Sequence, residues 1–282
     1  MTEKANPVLH YFLNIVQRRI FDKVGHTWWG YVIAAVNRRK GSSSPIRIVS
    51  IGSGPAGWEM KIAQKFNVNY EFECIDINEN MMALGKEQAF SHNLNFKFIL
   101  QDINELSLPT NYYDVVMAHA SLHHMINHEH VAKEINKSMR NDGEFVVFDA
   151  IPRNGLKMWD DTIEVANRLW SLIPLKYRYD AVNKSTEYFE TLPNKDLSVD
   201  GFECIRSQDL YPVLKQNFKT KIEVPAYYFA RRFFEDPFAN NYDIIKNPFD
   251  KAVADTVIRM EDELAKSYNL KPECIFMVLE KC

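Results

Sequence analysis

No stretch of the 282 residues approaches the roughly 20 consecutive apolar residues of a membrane span, so a spanning segment is not expected. Cysteine is scarce. Cys74, Cys204, Cys274 and Cys282 are scattered without CxxC or CxxH spacing, which predicts reduced, mostly buried thiols and no metal site. No basic tract stands out, and the formal net charge is -3, which argues against a nucleic-acid partner held through its phosphates. Residues Met1 to Pro7 carry Glu3 and Lys4 and lack the apolar core of a signal peptide, so a cytoplasmic location is expected. Internal repeats and low-complexity tracts are absent as well. What is present is an ordinary globular balance, 46% hydrophobic and 25% charged. A chain of this length can bury a full core, as one large domain or as one domain with a cap.

The organising stretch is Ile46 to Gly57, I-R-I-V-S-I-G-S-G-P-A-G. Ile46, Ile48, Val49 and Ile51 form a β-branched run suited to a strand buried on both faces. It breaks at Gly52, Gly54 and Gly57, and helical spacing resumes from Trp58 to Phe66. Strand, glycine turn and helix open a nucleotide-binding α/β sheet. The glycines let backbone approach a ligand closely, and the helix N-terminus offers free N–H groups. The plainer alternative is a tight strand-to-helix turn.

Upstream, Val8 to Arg39 reads as helix broken near Gly25, with His26, Trp28, Trp29 and Tyr31 around the break. These aromatics either pack on the sheet or form a lid over a substrate pocket. Gly41 to Pro45 is a linker. Downstream, strands are expected at Tyr70–Asp76, Phe96–Leu100, Tyr113–Ala118 and Glu144–Asp149. Asn78 caps one helix, His130–Met139 forms another, and Asn141-Asp142-Gly143 makes a tight turn into the fifth strand. This alternation predicts a parallel, doubly wound sheet whose ligand lies at the carboxyl ends of the strands. Gly52–Gly57, Asp76, Asp102, His119–His124 and Asp149 all fall at those ends. Arg153 to Tyr179 departs from the repeat and, with a polar loop from Asp180 to Asp200, reads as a cap. A helix at Gln208–Gln216, a strand at Thr220–Val224, a helix from about Ile244 to Ser267 and a strand at Cys274–Leu279 follow. The expected units are therefore a helical lid (1–44), a Rossmann-like core (45–150), a cap insertion (151–200) and a C-terminal completion of the sheet (201–282).

Asp76 lies 24 residues past Gly52, where a carboxylate can accept both hydroxyls of a ribose or, more simply, cap the next helix. Asp102 is placed to take an adenine amino group, or to cap the following turn. The series V-S-I-G-S-G-P-A-G, C-I-D-I-N-E-N-M-M, I-L-Q-D-I-N-E-L, Y-D-V-V-M-A-H-A-S-L-H-H-M and R-N-D-G-E-F-V-V-F-D resembles the class I S-adenosylmethionine-dependent methyltransferases over about Ile46 to Ala150. The resemblance implies that Gly52, Ser53 and Gly54 lie along the methionine part of the cofactor and that Gly57 completes the turn. It further implies Asp76 on the ribose, Ile77 against the adenine, Asp102 at its amino group, Ile103 on its ring and His119 in the pocket wall. One departure stands out. The family usually carries an acid two residues before the first glycine, and here that position is Ser50, a weaker partner for an ammonium.

Transfer of a methyl group to a hydroxyl needs in-line approach and a base. His123 and His124, in the L-H-H segment, are candidates, and Asp149 is a candidate to orient substrate. His128 and His130 read as exposed residues at a helix start. On the substrate side, Arg231 and Arg232 are expected either to grip an acidic group of the acceptor or to stand as solvated charges. Trp159 opens a run that is similar to bacterial methyltransferases of sugar and polysaccharide pathways. The leading expectation is methylation of a small-molecule hydroxyl, yielding S-adenosylhomocysteine, with a homodimer as a candidate assembly. The alternatives are an NAD(P)-dependent oxidoreductase, since G-S-G-P-A-G fits that fingerprint too, and a non-catalytic scaffold motivated by Ser50. A nucleic-acid methyltransferase is disfavoured by the lack of an Asn/Asp-Pro-Pro-aromatic or Pro-Cys motif; Asn247-Pro248-Phe249 reads as a turn.

Overall fold

A computed structural model describes residues 6–201 and 203–282; most of the Met1–Pro7 stretch lies outside them. Among the described residues there are seven strands: β1 (Ile46–Ile51), β2 (Tyr70–Asp76), β3 (Phe96–Leu100), β4 (Tyr113–His119), β5 (Met139–Ala150), β6 (Lys219–Tyr227) and β7 (Cys274–Glu280). They form one sheet in the order β3-β2-β1-β4-β5-β7-β6. β1 to β5 pair in parallel, whereas β7 runs antiparallel to both β5 and β6. Strand order reverses between β1 and β4, so a crevice opens at their carboxyl ends.

The helices are α1 (Pro7–Val24), α2 (Trp28–Asn37), α3 (Gly57–Ala63), α4 (Glu79–Ser91), α5 (His128–Ser138), α6 (Asp160–Leu172), α7 (Ser198–Gly201), α8 (Ser207–Asn217), α9 (Arg231–Phe234) and α10 (Pro248–Tyr268). Adjacent strand residues serve opposite faces. Ile46 and Ile48 of β1 pack with Val32 and Val36 of α2 and Ile62 of α3. Val49 and Ile51 pack with Val131 and Ile135 of α5 and Val213 and Leu214 of α8. A strand apolar at consecutive positions is thus accounted for by helices on both sides. Each such side chain contributes about 1.5–3 kcal/mol when fully buried.

A third core lies beside the sheet. Phe12 and Val16 of α1 meet Trp170 of α6, Phe233 and Phe234 of α9 and Val257 of α10. The N-terminal segment is therefore divided: α1 joins the helical annex with the 158–192 stretch, while α2 lies on the sheet. Gly25 separates them at φ 75°, closing α1 in the left-handed conformation that glycine adopts without strain.

Three local expectations are corrected. Residues 141–143 do not form a turn before β5 but sit within it. The register jumps from Tyr113↔Met139 to Val115↔Glu144, so the extra residues bulge out of the ladder. Asn247-Pro248-Phe249 is not a free turn: the Asn247 side chain accepts from the Phe249 N–H and Pro248 occupies the first turn, which starts α10. His128 is buried, with Nε2 against the Leu122 carbonyl at 3.1 Å, and His130 Nε2 meets the Leu106 carbonyl at 2.8 Å. Both were expected to be exposed, and both instead tie α5 to neighbouring loops.

Candidate active site

At the end of β1 the chain turns through Gly52 (φ 72°) and Gly54 (φ 53°). The Gly52 and Ser53 N–H groups donate to the Ile75 carbonyl, and the Gly54 N–H donates to Asp76 Oδ2 at 2.7 Å. Gly52 is required sterically, because a Cβ there would lie 2.5 Å from Ser121 Cβ. Gly57 is different: it has no left-handed φ, and nothing lies within 4 Å of its Cβ position. The turn uses two of the three glycines. The close helix–strand approach that the third glycine serves in the dinucleotide fingerprint is absent at this position.

A cavity of about 730 Å³ opens over this turn, lined by Gly52, Ser53, Gly54, Asp76, Ile77, Asp102, Ile103, His119 and His124 among others. Its volume lies within the range for cofactor-sized ligands. The tertiary structure brings nine of the expected residues to one wall. Two of the acids also have local duties. Asp76 Oδ1 accepts from the Asn78 N–H, and Asp102 Oδ1 accepts from the Asn104 N–H and side chain, capping the short turn that follows. Ile77 is 63% exposed at the cavity mouth, whereas Ile103 is buried in the wall. His119 stacks on Trp28 of α2 with ring centroids 4.2 Å apart. Burial pulls its pKa down to about 4, so the ring is neutral near pH 7.

Ser50 and Gly57 lie off the cavity wall. Ser50 is buried, and its Oγ donates to Glu59 Oε1 of α3 at 2.7 Å. Burial pushes the Glu59 carboxyl up to about 7. An acid therefore stands behind Ser50, nine residues further on in the sequence, which local motif reading missed.

Past β4, Ser121 Oγ donates to the Ile51 carbonyl, stapling the ends of β1 and β4. Asp149, at the end of β5, is fully buried. Its Oδ2 accepts from the Ser121 and Leu122 N–H groups, and its Oδ1 accepts from His123 Nδ1 at 2.5 Å. Burial disfavours a charged His123, but the Asp149 carboxylate outweighs it and the imidazole pKa ends above the usual histidine value. For Asp149, burial is likewise outweighed by His123 and the two N–H donors, and its pKa is lowered. With Nδ1 held by Asp149, Nε2 is the ring nitrogen that faces Glu203. Glu203, on the loop before α8, stands 3.6 Å from that Nε2 and 4.0 Å from His124 Nδ1. No signal near the motifs announces Glu203, because it arrives from about 80 residues away.

The expected substrate residues have partners of their own. Arg231 pairs with Glu235 at 2.9 Å and donates to the Tyr227 hydroxyl. Arg232 pairs with Glu273 and Glu235 and donates to the Leu156 carbonyl. Neither is a solvated charge at a strand end, and both guanidinium groups are engaged within the annex. Trp159 caps α6, its indole N–H reaching the Pro272 carbonyl, and it does not border the cavity.

Comparison with known proteins bears on the family and the fold. Residues 48–143 match the family model described as a methyltransferase domain. A ubiquinone/menaquinone biosynthesis C-methyltransferase of Burkholderia ambifaria is 24% identical over 199 residues, covering 68% of this chain and 77% of that protein. The corresponding protein of Burkholderia vietnamiensis is 23% identical over the same shares. In fold, the chain is similar to a geranyl diphosphate methyltransferase solved with GPP and sinefungin, with a TM-score of 0.53 and 10% identity, over 90% of this chain and 77% of that one. No described helix is long and apolar enough to cross a membrane. With its two-glycine turn, the acids at the end of β2 and just past β3 and the methyltransferase-domain match that spans them, the chain is similar over residues 48–143 to the class I S-adenosylmethionine-dependent methyltransferases.

Proposed function

We propose that this enzyme methylates a hydroxyl of a small-molecule acceptor, with His123 as the general base and Asp149 as the residue that orients it. The observation that carries the reading is the buried Asp149 carboxylate on His123 Nδ1. That contact fixes the ring, selects the tautomer with a lone pair on Nε2 and stabilises the imidazolium formed when Nε2 takes a proton. Bound S-adenosylmethionine would supply an electrophilic methyl group on a sulfonium, which the acceptor oxygen takes in line as S-adenosylhomocysteine leaves.

On the cofactor side, the Gly52–Gly54 backbone offers a close approach for the methionine part, and Asp76, at the mouth with Ile77, suits the ribose. Asp102 and Ile103 suit the adenine edge and face. A neutral His119 held against Trp28 contributes a flat wall without a positive charge that would repel a sulfonium. Engagement of Arg231 and Arg232 by carboxylates speaks against an acceptor gripped through them, so the acceptor is read as neutral near the annex.

A second reading is transfer to carbon, favoured by the relatives named as C-methyltransferases. Both readings need a deprotonated hydroxyl, since an ionised phenol or enol activates its neighbouring carbon. The test begins with calorimetric titration of S-adenosylhomocysteine and NADH into the wild type and Asp76→Ala. Micromolar S-adenosylhomocysteine binding that weakens at least ten-fold in the variant, with no NADH binding, supports the cofactor placement. NADH binding alone would reinstate the oxidoreductase. A screen of hydroxylated acceptors with carbon-13 methyl-labelled cofactor then separates oxygen from carbon transfer by the product's spectrum. His123→Gln should lose roughly 10²- to 10⁴-fold in turnover while still binding S-adenosylhomocysteine. Undiminished turnover in that variant would remove the base from the mechanism.

A further inference from the structure

The loop between α7 and α8 carries Glu203 and Cys204 to the far side of His123, and the three offer one ligand atom each within 4.8 Å of one another. We propose that His123 Nε2, the Glu203 carboxylate and the Cys204 thiolate form a binding site for a zinc-type divalent ion beside the cofactor cavity.

The His123–Glu203 distance is the first support. At 3.6 Å, Nε2 and Oε2 are too far apart for a hydrogen bond. Two nitrogen or oxygen ligands about 2.1 Å from a tetrahedral ion stand about 3.4 Å apart, so the pair already has nearly the span that a shared ion needs. The second support is Asp149. A metal-ligating histidine commonly gives its other ring nitrogen to a carboxylate, and Asp149 Oδ1 holds His123 Nδ1 from the buried side. The third is the fixing of Cys204. Its carbonyl accepts from the Gly155 N–H at 2.9 Å and from Ser207 Oγ at 3.2 Å, which anchors the backbone that carries the sulfur.

Ligand chemistry narrows the ion. A hard ion has little affinity for the Cys204 sulfur. One nitrogen, one oxygen and one sulfur ligand suit zinc or cobalt over magnesium or calcium. His124 and Ile205, the chain neighbours of two of the ligands, line the cavity, so the three ligands lie just behind its wall. Arg231 adds an opposing charge near His123, but its guanidinium is paired with Glu235. Binding exchanges the Cys204 proton for the ion and leaves the carboxylate and the neutral imidazole unchanged in charge.

A functional consequence follows, and it rests on the base reading above. The Nε2 lone pair holds a proton or an ion, not both. An ion-loaded enzyme therefore loses its base and stops turning over, while cofactor binding continues. The absence of CxxC or CxxH spacing had predicted no metal site; here the ligands come from two segments 80 residues apart that only the fold unites.

The experiment is titration of chelator-treated protein with Co²⁺, followed by visible and near-ultraviolet absorption, with Zn²⁺ as competitor. One equivalent of Co²⁺ giving a thiolate charge-transfer band is expected. The band should vanish in Cys204→Ser, and Zn²⁺ should displace the cobalt. Affinity should fall at least ten-fold in Glu203→Gln and about 10- to 100-fold in Asp149→Asn. Calorimetric binding of S-adenosylhomocysteine, retained in each variant, shows that the site is lost without loss of the fold. No Co²⁺ binding, or binding that Cys204→Ser leaves unchanged, overturns the metal site and leaves the base reading standing. Stoichiometric Zn²⁺ at this site with turnover undiminished overturns the claimed block and the base reading together.

Discussion

Asp149 and His123, 26 residues apart in sequence, are joined by a 2.5 Å contact in which the carboxylate is fully buried and the imidazole, itself buried, turns its other nitrogen toward Glu203. A base must be neutral to accept a proton, so activity should rise with pH through the His123 pKa. Because Asp149 raises that pKa above 6.5, the acid limb of kcat/KM should have its midpoint above 6.5 in the wild type. In Asp149→Asn the main raising charge is gone, leaving Glu203 to raise the pKa while burial and Arg231 oppose protonation, so the midpoint should fall below that of the wild type as the rate drops. A pH–rate profile of both proteins measures this, and an unshifted limb would leave Asp149 a purely structural role.

The glycines make a graded prediction. Gly52→Ala meets both a left-handed φ of 72° and a 2.5 Å approach to Ser121 Cβ, and should cost about 2–5 kcal/mol. Gly54→Ala meets only the φ of 53°, with its nearest neighbour at 3.7 Å, and should cost about 1 kcal/mol. Gly57→Ala, in open space at the start of α3, should be neutral or stabilise by up to about 1 kcal/mol. Urea midpoints of the three variants give the order; equal losses would mean that the turn is not shaped as described.

Glu59 predicts a pH signature. Its carboxyl is raised from 4.5 to about 7 by burial, so the folded state favours the protonated form. That contribution is fully present below 4.5 and is lost as pH rises through about 7, at most roughly 3 kcal/mol. Glu59→Gln keeps an acceptor for Ser50 Oγ and cannot ionise. The variant should match the wild type at pH 4.5 and exceed it at pH 8. Equilibrium unfolding at the two values decides, and a constant difference would refute the assignment.

Glu261 holds the annex to the sheet. One oxygen accepts from the Tyr228, Phe229 and Ala230 N–H groups at 2.9, 2.6 and 2.6 Å, and the other from Arg19 at 2.7 Å. Glu261→Ala would strand three backbone donors and a half-buried guanidinium, and should cost about 3–5 kcal/mol. Retention of wild-type stability would mean that water or a neighbour replaces the carboxylate.

Local chemistry settled much of this protein. The β-branched run before Gly52 and the alternation of strand and helix to Ala150 suffice for a parallel α/β sheet, because burial on both faces and period are properties of neighbouring residues. The acids at strand ends follow from the same rule, since a strand ending sets its last side chain at the crevice. Caps at Asn78 and Gly25 were legible for that reason too. Other features depend on contacts between distant residues, which no local pattern encodes. Whether His128 is exposed, whether Arg231 and Arg232 are free, and which acid stands behind Ser50 were decided by packing. Glu203 and Cys204 reach His123 only because the chain crosses back over the end of β5 before entering α8. The sequence by itself determined the sheet and the place of the ligand; the tertiary structure decided which side chains have partners, because pairing and burial depend on what the fold brings within a few ångströms.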